Sequence, residues 1–232
     1  LPLWLMAGYG ALFNLFGLET HMTRIALTLS FAQNLVTGML TANLLGKVTQ
    51  GLAMARHGAD SDEFGFRLAF GVIPKFYLFK GPIRQLDFRG QRACYAAPLL
   101  FRLGMFVAGL MIWLILRRSG SGIADVGLAL AVVGLSSFLF TANPLFPADG
   151  YRWLAAWLER PRLRQDGLRL LGMILTFRPI PAELPRGEFW LLVLYALASL
   201  AFTAFIVLTI VFSIAFVLEA RLRGVGVVIF GV

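Results

Sequence analysis

The run Asn143-Pro144-Leu145-Phe146-Pro147-Ala148-Asp149-Gly150-Tyr151 ends an apolar stretch with two prolines, an acid and a glycine. Proline breaks a helix because it has no N–H and its ring clashes with the preceding turn. An acid at such a break, beside a membrane-length apolar segment, is costly to hold and is a functional candidate for that reason. The competing reading of Asp149 is an exposed turn, because Asp-Gly is a common turn pair. Two more charges, Lys47 and Arg102, interrupt apolar stretches. The chain has two histidines, His21 and His57, and one cysteine, Cys94. A single cysteine excludes an internal disulfide and a thiolate metal cluster. His21 shares a short polar turn with Glu19 and Arg24 and reads as solvated. His57 precedes Gly58 at the basic end of a helix and reads as a cap. Cys94 reads as a small buried residue.

The elements that carry these residues are membrane elements. Of the 232 residues, 59% are apolar and 14% are charged, and mean hydropathy is +0.78. Soluble domains run about 45–50% apolar and about 25% charged. An ordinary cytosolic enzyme, a disordered chain and a disulfide scaffold are all excluded. The pattern predicts an all-α polytopic membrane protein, a single membrane domain over 1–232 with about five transmembrane helices. A first span covers 1–18 and a second covers 25–55, interrupted by Lys47. A helical hairpin covers 93–142, from apolar runs at 93–116 and 126–142. The last span covers 188–220; its apolar run, 189–218, extends about 45 Å as a helix and must tilt, bend or project. Alternation at Phe64-Gly65-Phe66-Arg67-Leu68 predicts short strands at the membrane surface within the 56–92 loop. Residues 150–158 and 162–175 predict interfacial helices in the segment 143–187, with Trp153 and Trp157 on one face. The chain opens on Leu1 without a signal-peptide pattern, so its start reads as processed or truncated.

The formal charge of +9 is a topology signal and not a sign of nucleic acid. The segments 56–92 and 143–187 together hold 14 of the 21 basic residues. Two spans separate them, so they share a side, and the positive-inside rule makes that side cytoplasmic. The N-terminus is then cytoplasmic too. Arg117, Arg118, Arg221 and Arg223 run against this pattern. The expected location is an integral membrane protein of a bacterial inner membrane.

The stretch from Asn143 to Gly150 resembles the Asn-Pro…Asp-Gly motif of the site-2 protease family of intramembrane zinc metallopeptidases. The following Tyr151-Arg152…Leu158-Glu159-Arg160-Pro161-Arg162-Leu163-Arg164 is similar to the family's bacterial branch, often associated with secretion adaptors. Phe70-Gly71-Val72-Ile73-Pro74-Lys75-Phe76-Tyr77 and Gln91-Arg92-Ala93-Cys94-Tyr95-Ala96-Ala97-Pro98 resemble its surface strands and the start of its next span. The likeness covers roughly residues 25–220. It implies a His-Glu-x-x-His helix in which two histidines hold zinc and the glutamate is general base. The small-residue context Gly51-Leu52-Ala53-Met54-Ala55-Arg56-His57-Gly58-Ala59 places that motif on Gly46-Lys47-Val48-Thr49-Gln50. Gly46 and Gln50 then stand at the ligand positions and Lys47 at the base position. Glycine has no donor atom, glutamine is a poor zinc ligand and lysine adds charge where a dication would sit. The resemblance therefore implies a pseudoprotease with a degenerate former metal site at Gly46, Lys47, Gln50 and Asp149, and no cofactor.

Two readings of Lys47 stand side by side. Its ammonium fills the vacated cation position and pairs with Asp149, directly or through one water, since an isolated buried charge is expensive. Alternatively it snorkels to the interface. Arg102 reads first as a long stem reaching the nearby face and second as a counter-ion for a partner helix. Arg102 and Asn143 are the candidate partner contacts. The leading functional expectation is a non-catalytic membrane scaffold or assembly subunit that holds a partner's transmembrane helix without cutting it. The alternatives are an intramembrane zinc metallopeptidase with an atypical site, and a transport or secretion component working with a periplasmic adaptor. Expected partners are other integral membrane proteins and lipids, with pigments or quinone if the complex converts energy.

Overall fold

The computed structural model describes residues 29–61, 63–69, 73–119, 121–179 and 185–222. Helix α1 is Leu29–Arg56, strands β1 and β2 are Phe64–Ala69 and Ile73–Leu78, and a 3-10 turn covers Pro82–Gln85. Helices α2 and α3 are Phe88–Leu116 and Gly122–Ala142; α4 is Asp149–Trp157, α5 is Leu163–Leu175 and α6 is Arg186–Leu222. The residues cluster into two compact units, divided between Pro161 and Arg162.

Among the described residues three helices are long and apolar enough to cross a membrane: α2, α3 and the Arg186–Ala215 part of α6. The chain is thus largely helical and of membrane-protein character, but the expectation of five spans is reduced. The 25–55 stretch does form a 28-residue helix, α1. Gln33, Asn34, Asn43, Lys47 and Gln50 break its apolar run, and it is not one of the three. The expected span over 1–18, and His21 with it, lie outside the described residues.

The centre of the first unit is the α2–α3 hairpin. Its helices touch backbone to backbone because small residues face each other. A Cβ added at Gly109 would sit 2.5 Å from the Ala131 nitrogen and 2.6 Å from the Gly127 oxygen. Close approach of this kind is how membrane helices gain packing without a hydrophobic driving force between them. Asp87 caps α2 by accepting from the Gly90 N–H at 2.9 Å, and Ser121 caps α3 by accepting from Ile123 N–H at 3.2 Å. Helix α1 lies across the hairpin through a cluster of Ala42, Met105 and Val133.

A second cluster joins α1 to the strand region. Met54, Leu78, Ile83, Cys94 and Tyr95 are buried together there, so Cys94 is the small buried residue its neighbours predict. Helix α1 stops in a left-handed turn: Gly58 has φ +76°, and the Ala59 N–H donates back to the Met54 carbonyl at 3.0 Å. His57 sits inside that capping turn. The expected strands form an antiparallel pair with Phe66 opposite Phe76 and Arg67 opposite Lys75. Asn43 of α1 accepts from the Phe76 N–H at 3.1 Å and so satisfies a strand-edge donor.

The second unit contains α5 and α6. They meet where Gly167 approaches the Leu192 carbonyl, which an added Cβ would reach at 2.9 Å. Leu163, Leu170, Leu171, Leu192, Val193 and Ala196 are buried there. The two segments predicted as interfacial helices are helical, as α4 and α5, and Trp153 and Trp157 are exposed on α4.

Candidate functional site

The Asn143–Ala148 segment turns the chain sharply from α3 into α4. Asn143 Oδ1 accepts from the Leu145 N–H at 2.9 Å, a local turn bond. The rings of Phe140 and Phe146 meet at 4.9 Å and fold the turn back on α3. Gly150 then packs directly on the Ala142 backbone; an added Cβ would lie 2.1 Å from the Ala142 oxygen. Only glycine allows that approach, and it sets Asp149 at the first position of α4, buried at 6% exposure. The exposed-turn reading of Asp149 is thereby overturned.

The direct partner of Asp149 is Lys80, whose Nζ donates to Oδ1 at 2.5 Å. Lys80 follows β2, and the chain there is held by the Phe79 N–H donating to Glu63 O and by Ser61 Oγ donating to Phe79 O, both at 3.0 Å. The expected Lys47–Asp149 pair is corrected on this point. Lys47 lines the same cavity as Lys80 and Asp149, but the direct ion pair to the carboxylate is from Lys80. Lys80 comes two residues after the end of β2, while Lys47 belongs to α1.

Burial opposes ionisation of the Asp149 carboxyl, but Lys80, with Lys47 and Arg102 behind it, overrides that and holds its pKa below the ordinary 3.8. Burial also pulls Lys80 below its ordinary value, and the Asp149 carboxylate counters this pull. Arg152, one turn further along α4, lies over the Tyr95 ring at 6.0 Å.

Arg102 does not reach out to the membrane face. It is 7% exposed, its Nη1 donates to the Pro98 carbonyl at 3.2 Å, and its guanidinium lies against Gly46. A Cβ added at Gly46 would meet that guanidinium at 3.7 Å, ordinary van der Waals contact. Gln50 is fully buried on the same face of α1, and its Nε2 donates to the Cys94 carbonyl at 3.2 Å. That carbonyl would ordinarily accept from residue 98 of the same helix, but Pro98 has no N–H to give. Gln50 thus fills a vacancy created by Pro98. Its Oε1 has no hydrogen-bond partner.

These side chains do not suit a zinc ion. Gly46 offers no donor, an amide oxygen such as that of Gln50 is a poor zinc ligand, Asp149 is committed to Lys80, and Lys47 brings a positive charge. Among the described residues no three His, Cys, Asp or Glu side chains converge. What the segments do enclose is a cavity of about 600 Å³ between α1, the strands, α2 and the α3–α4 turn, reached by Lys47, Lys80, Arg102, Asp149 and Arg152. Of the residues singled out from sequence, Lys47, Arg102 and Asp149 meet in this cavity, while Gly46 and Gln50 pack against α2 and Asn143 shapes the turn. Lys80 and Arg152 were legible only as loop cations. The signal for Lys80 was its place at the end of the loop's apolar run Phe76-Tyr77-Leu78-Phe79.

No protein-family model, no curated protein and no solved structure matches the chain.

Proposed function

We propose that the chain is a non-catalytic membrane scaffold or assembly subunit, a pseudoprotease relative of the site-2 family that binds a partner's transmembrane helix without cutting it. The observation that carries this reading is the Lys80–Asp149 ion pair. The acid of the Asn-Pro…Asp-Gly motif is retained and buried, yet lysine occupies it and a metal does not suit it. In this reading α1 is a fourth membrane element beside α2, α3 and α6, the segment 1–18 is a fifth, and the basic loops face the cytoplasm. The hairpin supports a membrane-surface position, since Phe64, Phe66 and Leu68 are all exposed on it and an apolar patch of this kind seeks lipid or protein. The wide exposed apolar faces of α2 and α6 supply surface for neighbouring helices.

The test is photo-crosslinking in native membranes from a reactive residue placed at Asn43 or Phe140, beside the cavity. A discrete adduct with an uncleaved transmembrane partner, lost when the probe is moved to Phe177, is the expected result. A chain that stays an unadducted monomer from both positions, or that releases a cleaved partner, overturns it.

A second reading is favoured by one observation. Lys47, Arg102 and Asp149 line a roomy cavity instead of a filled core, which suits a transport or secretion component. Vesicles containing the purified chain would then show solute flux that Lys47→Met alters; absence of flux removes this reading and leaves the scaffold.

A further inference from the structure

The cavity is charged far beyond what its one acid balances. Six cationic side chains line it, Lys47, Arg67, Lys75, Lys80, Arg102 and Arg152, against the single carboxylate of Asp149. Asp149 is already taken by Lys80. Two juxtapositions inside the cavity are unfavourable as they stand. Arg67 and Lys75 are directly opposed across the β1–β2 ladder, and like charges in that position repel. Lys47 and Lys80, from α1 and the end of β2, put two ammonium groups into the same cavity. Both clashes face the same space, and they come from separate elements of the fold. A chain that only needed to neutralise Asp149 would need one of these cations.

We infer that this cavity is a binding site for a phosphate group, carried by a lipid headgroup or by a soluble phosphate compound. A tetrahedral dianion or a phosphodiester presents several oxygens and accepts donors from different directions at once. Guanidinium forks suit it through paired N–H donors, and ammonium groups suit it as point charges. Arg102 and Arg152 supply the forks from α2 and α4, and Lys47, Lys75 and Lys80 supply ammonium groups from the opposite wall. Asn43 adds a neutral donor: its Oδ1 is fixed by the Phe76 N–H, which leaves its amide NH₂ for the cavity it lines. The volume, about 600 Å³, is within the usual range for a small-molecule site. Phe76, Phe140 and Phe146 form an apolar rim beside the charges, where a glycerol backbone or an organic substituent would lie. This inference uses only the cavity's own side chains, so it survives failure of the scaffold reading, and loss of phosphate binding would leave crosslinking to a partner untouched.

The experiment uses the full chain in nanodiscs. In phosphatidylcholine discs, inorganic phosphate is titrated at constant ionic strength against the thermal unfolding midpoint. In parallel, discs containing phosphatidylglycerol are compared with phosphatidylcholine alone. Saturable stabilisation by phosphate, weakened tenfold or more by Lys47→Gln or Arg152→Gln and unchanged by Arg178→Gln, supports the site with a soluble ligand. Stabilisation by phosphatidylglycerol only, with the same dependence on the two variants, supports the site with a headgroup ligand. If Lys47→Gln fails to fold, Lys75→Gln, an exposed strand position, takes its place. Stabilisation by neither, or an equal effect of chloride, or an equal loss in Arg178→Gln, overturns the inference.

Discussion

Lys80 and Asp149 lie 69 residues apart in sequence, and their side chains meet at 2.5 Å. The contact ties the end of the strand pair to the start of α4. It also makes the buried acid half of an ion pair. Breaking a buried pair by removing one partner leaves an uncompensated charge, which costs about 3 kcal/mol. Lys80→Met is therefore expected to lower the unfolding midpoint in detergent, with Lys47 and Arg102 left to face the carboxylate, and Asp149→Asn to do so at least as much, since it leaves the cavity's cations with no counter-charge. The double variant should lose less than the two single losses combined. Strict additivity in that cycle would show that the contact carries no coupling.

The same pair predicts a pH dependence with a definite sign. The folded Asp149 pKa is held below 3.8, its ordinary value. The stabilisation from its charge is fully present above that value and is lost as pH falls through the lower, folded pKa. Wild type and Asp149→Asn should differ in unfolding midpoint at pH 6, and the gap should begin to narrow as pH falls below about 4. A gap that persists unchanged to pH 2.5 would contradict this assignment.

Gln50 and Pro98 form a second testable relationship. The amide of Gln50 donates to the carbonyl that Pro98 leaves without its helical partner. Gln50→Leu should destabilise the wild-type chain by about 1–2 kcal/mol, the usual cost of orphaning a buried carbonyl. In a Pro98→Ala background the helix supplies its own N–H, so Gln50→Leu should cost less than half as much. Equal costs in the two backgrounds would mean that Gln50 acts by packing alone.

Gly150→Ala should be among the most damaging single changes in the chain. Its Cβ would fall 2.1 Å from the Ala142 oxygen, a backbone atom that cannot swing aside. The α3–α4 junction must open and carry Asp149 away from Lys80. The expected outcome is loss of a monodisperse peak in size-exclusion chromatography, whereas Gly104→Ala, where the added Cβ meets nothing within 4 Å, should leave the profile intact.

Orientation is checked by single cysteines in a Cys94→Ala background. Membrane-impermeant maleimide should reach Asp60→Cys and Arg178→Cys from one side of the membrane and Ser119→Cys from the other. Labelling of all three from one side would overturn the arrangement drawn from loop charges.

Composition and patterning determined much of this protein before any coordinate. The density of apolar residues made the chain a membrane protein, because such segments are expelled from water wherever they lie. Local alternation at Phe64–Leu68 predicted short strands, which form at Phe64–Ala69 and Ile73–Leu78, and proline with Asp-Gly placed the α3–α4 break, since these are properties of neighbouring residues. Sequence also singled out Lys47, Arg102 and Asp149, because charges in apolar stretches are conspicuous. The pairing among them lay beyond it. Lys80 looked like one loop cation among many, and only the packing of β2 against α1 and of α4 against α2 put it in contact with Asp149. Arg102 looked free to snorkel, and only the packing of α1 against α2 showed its guanidinium against Gly46. The role of Gln50 depended on a carbonyl of another helix, 44 residues away. Electrostatic partners are chosen by distance through space, and that distance exists only once α1, the strands, α2 and α4 have packed together.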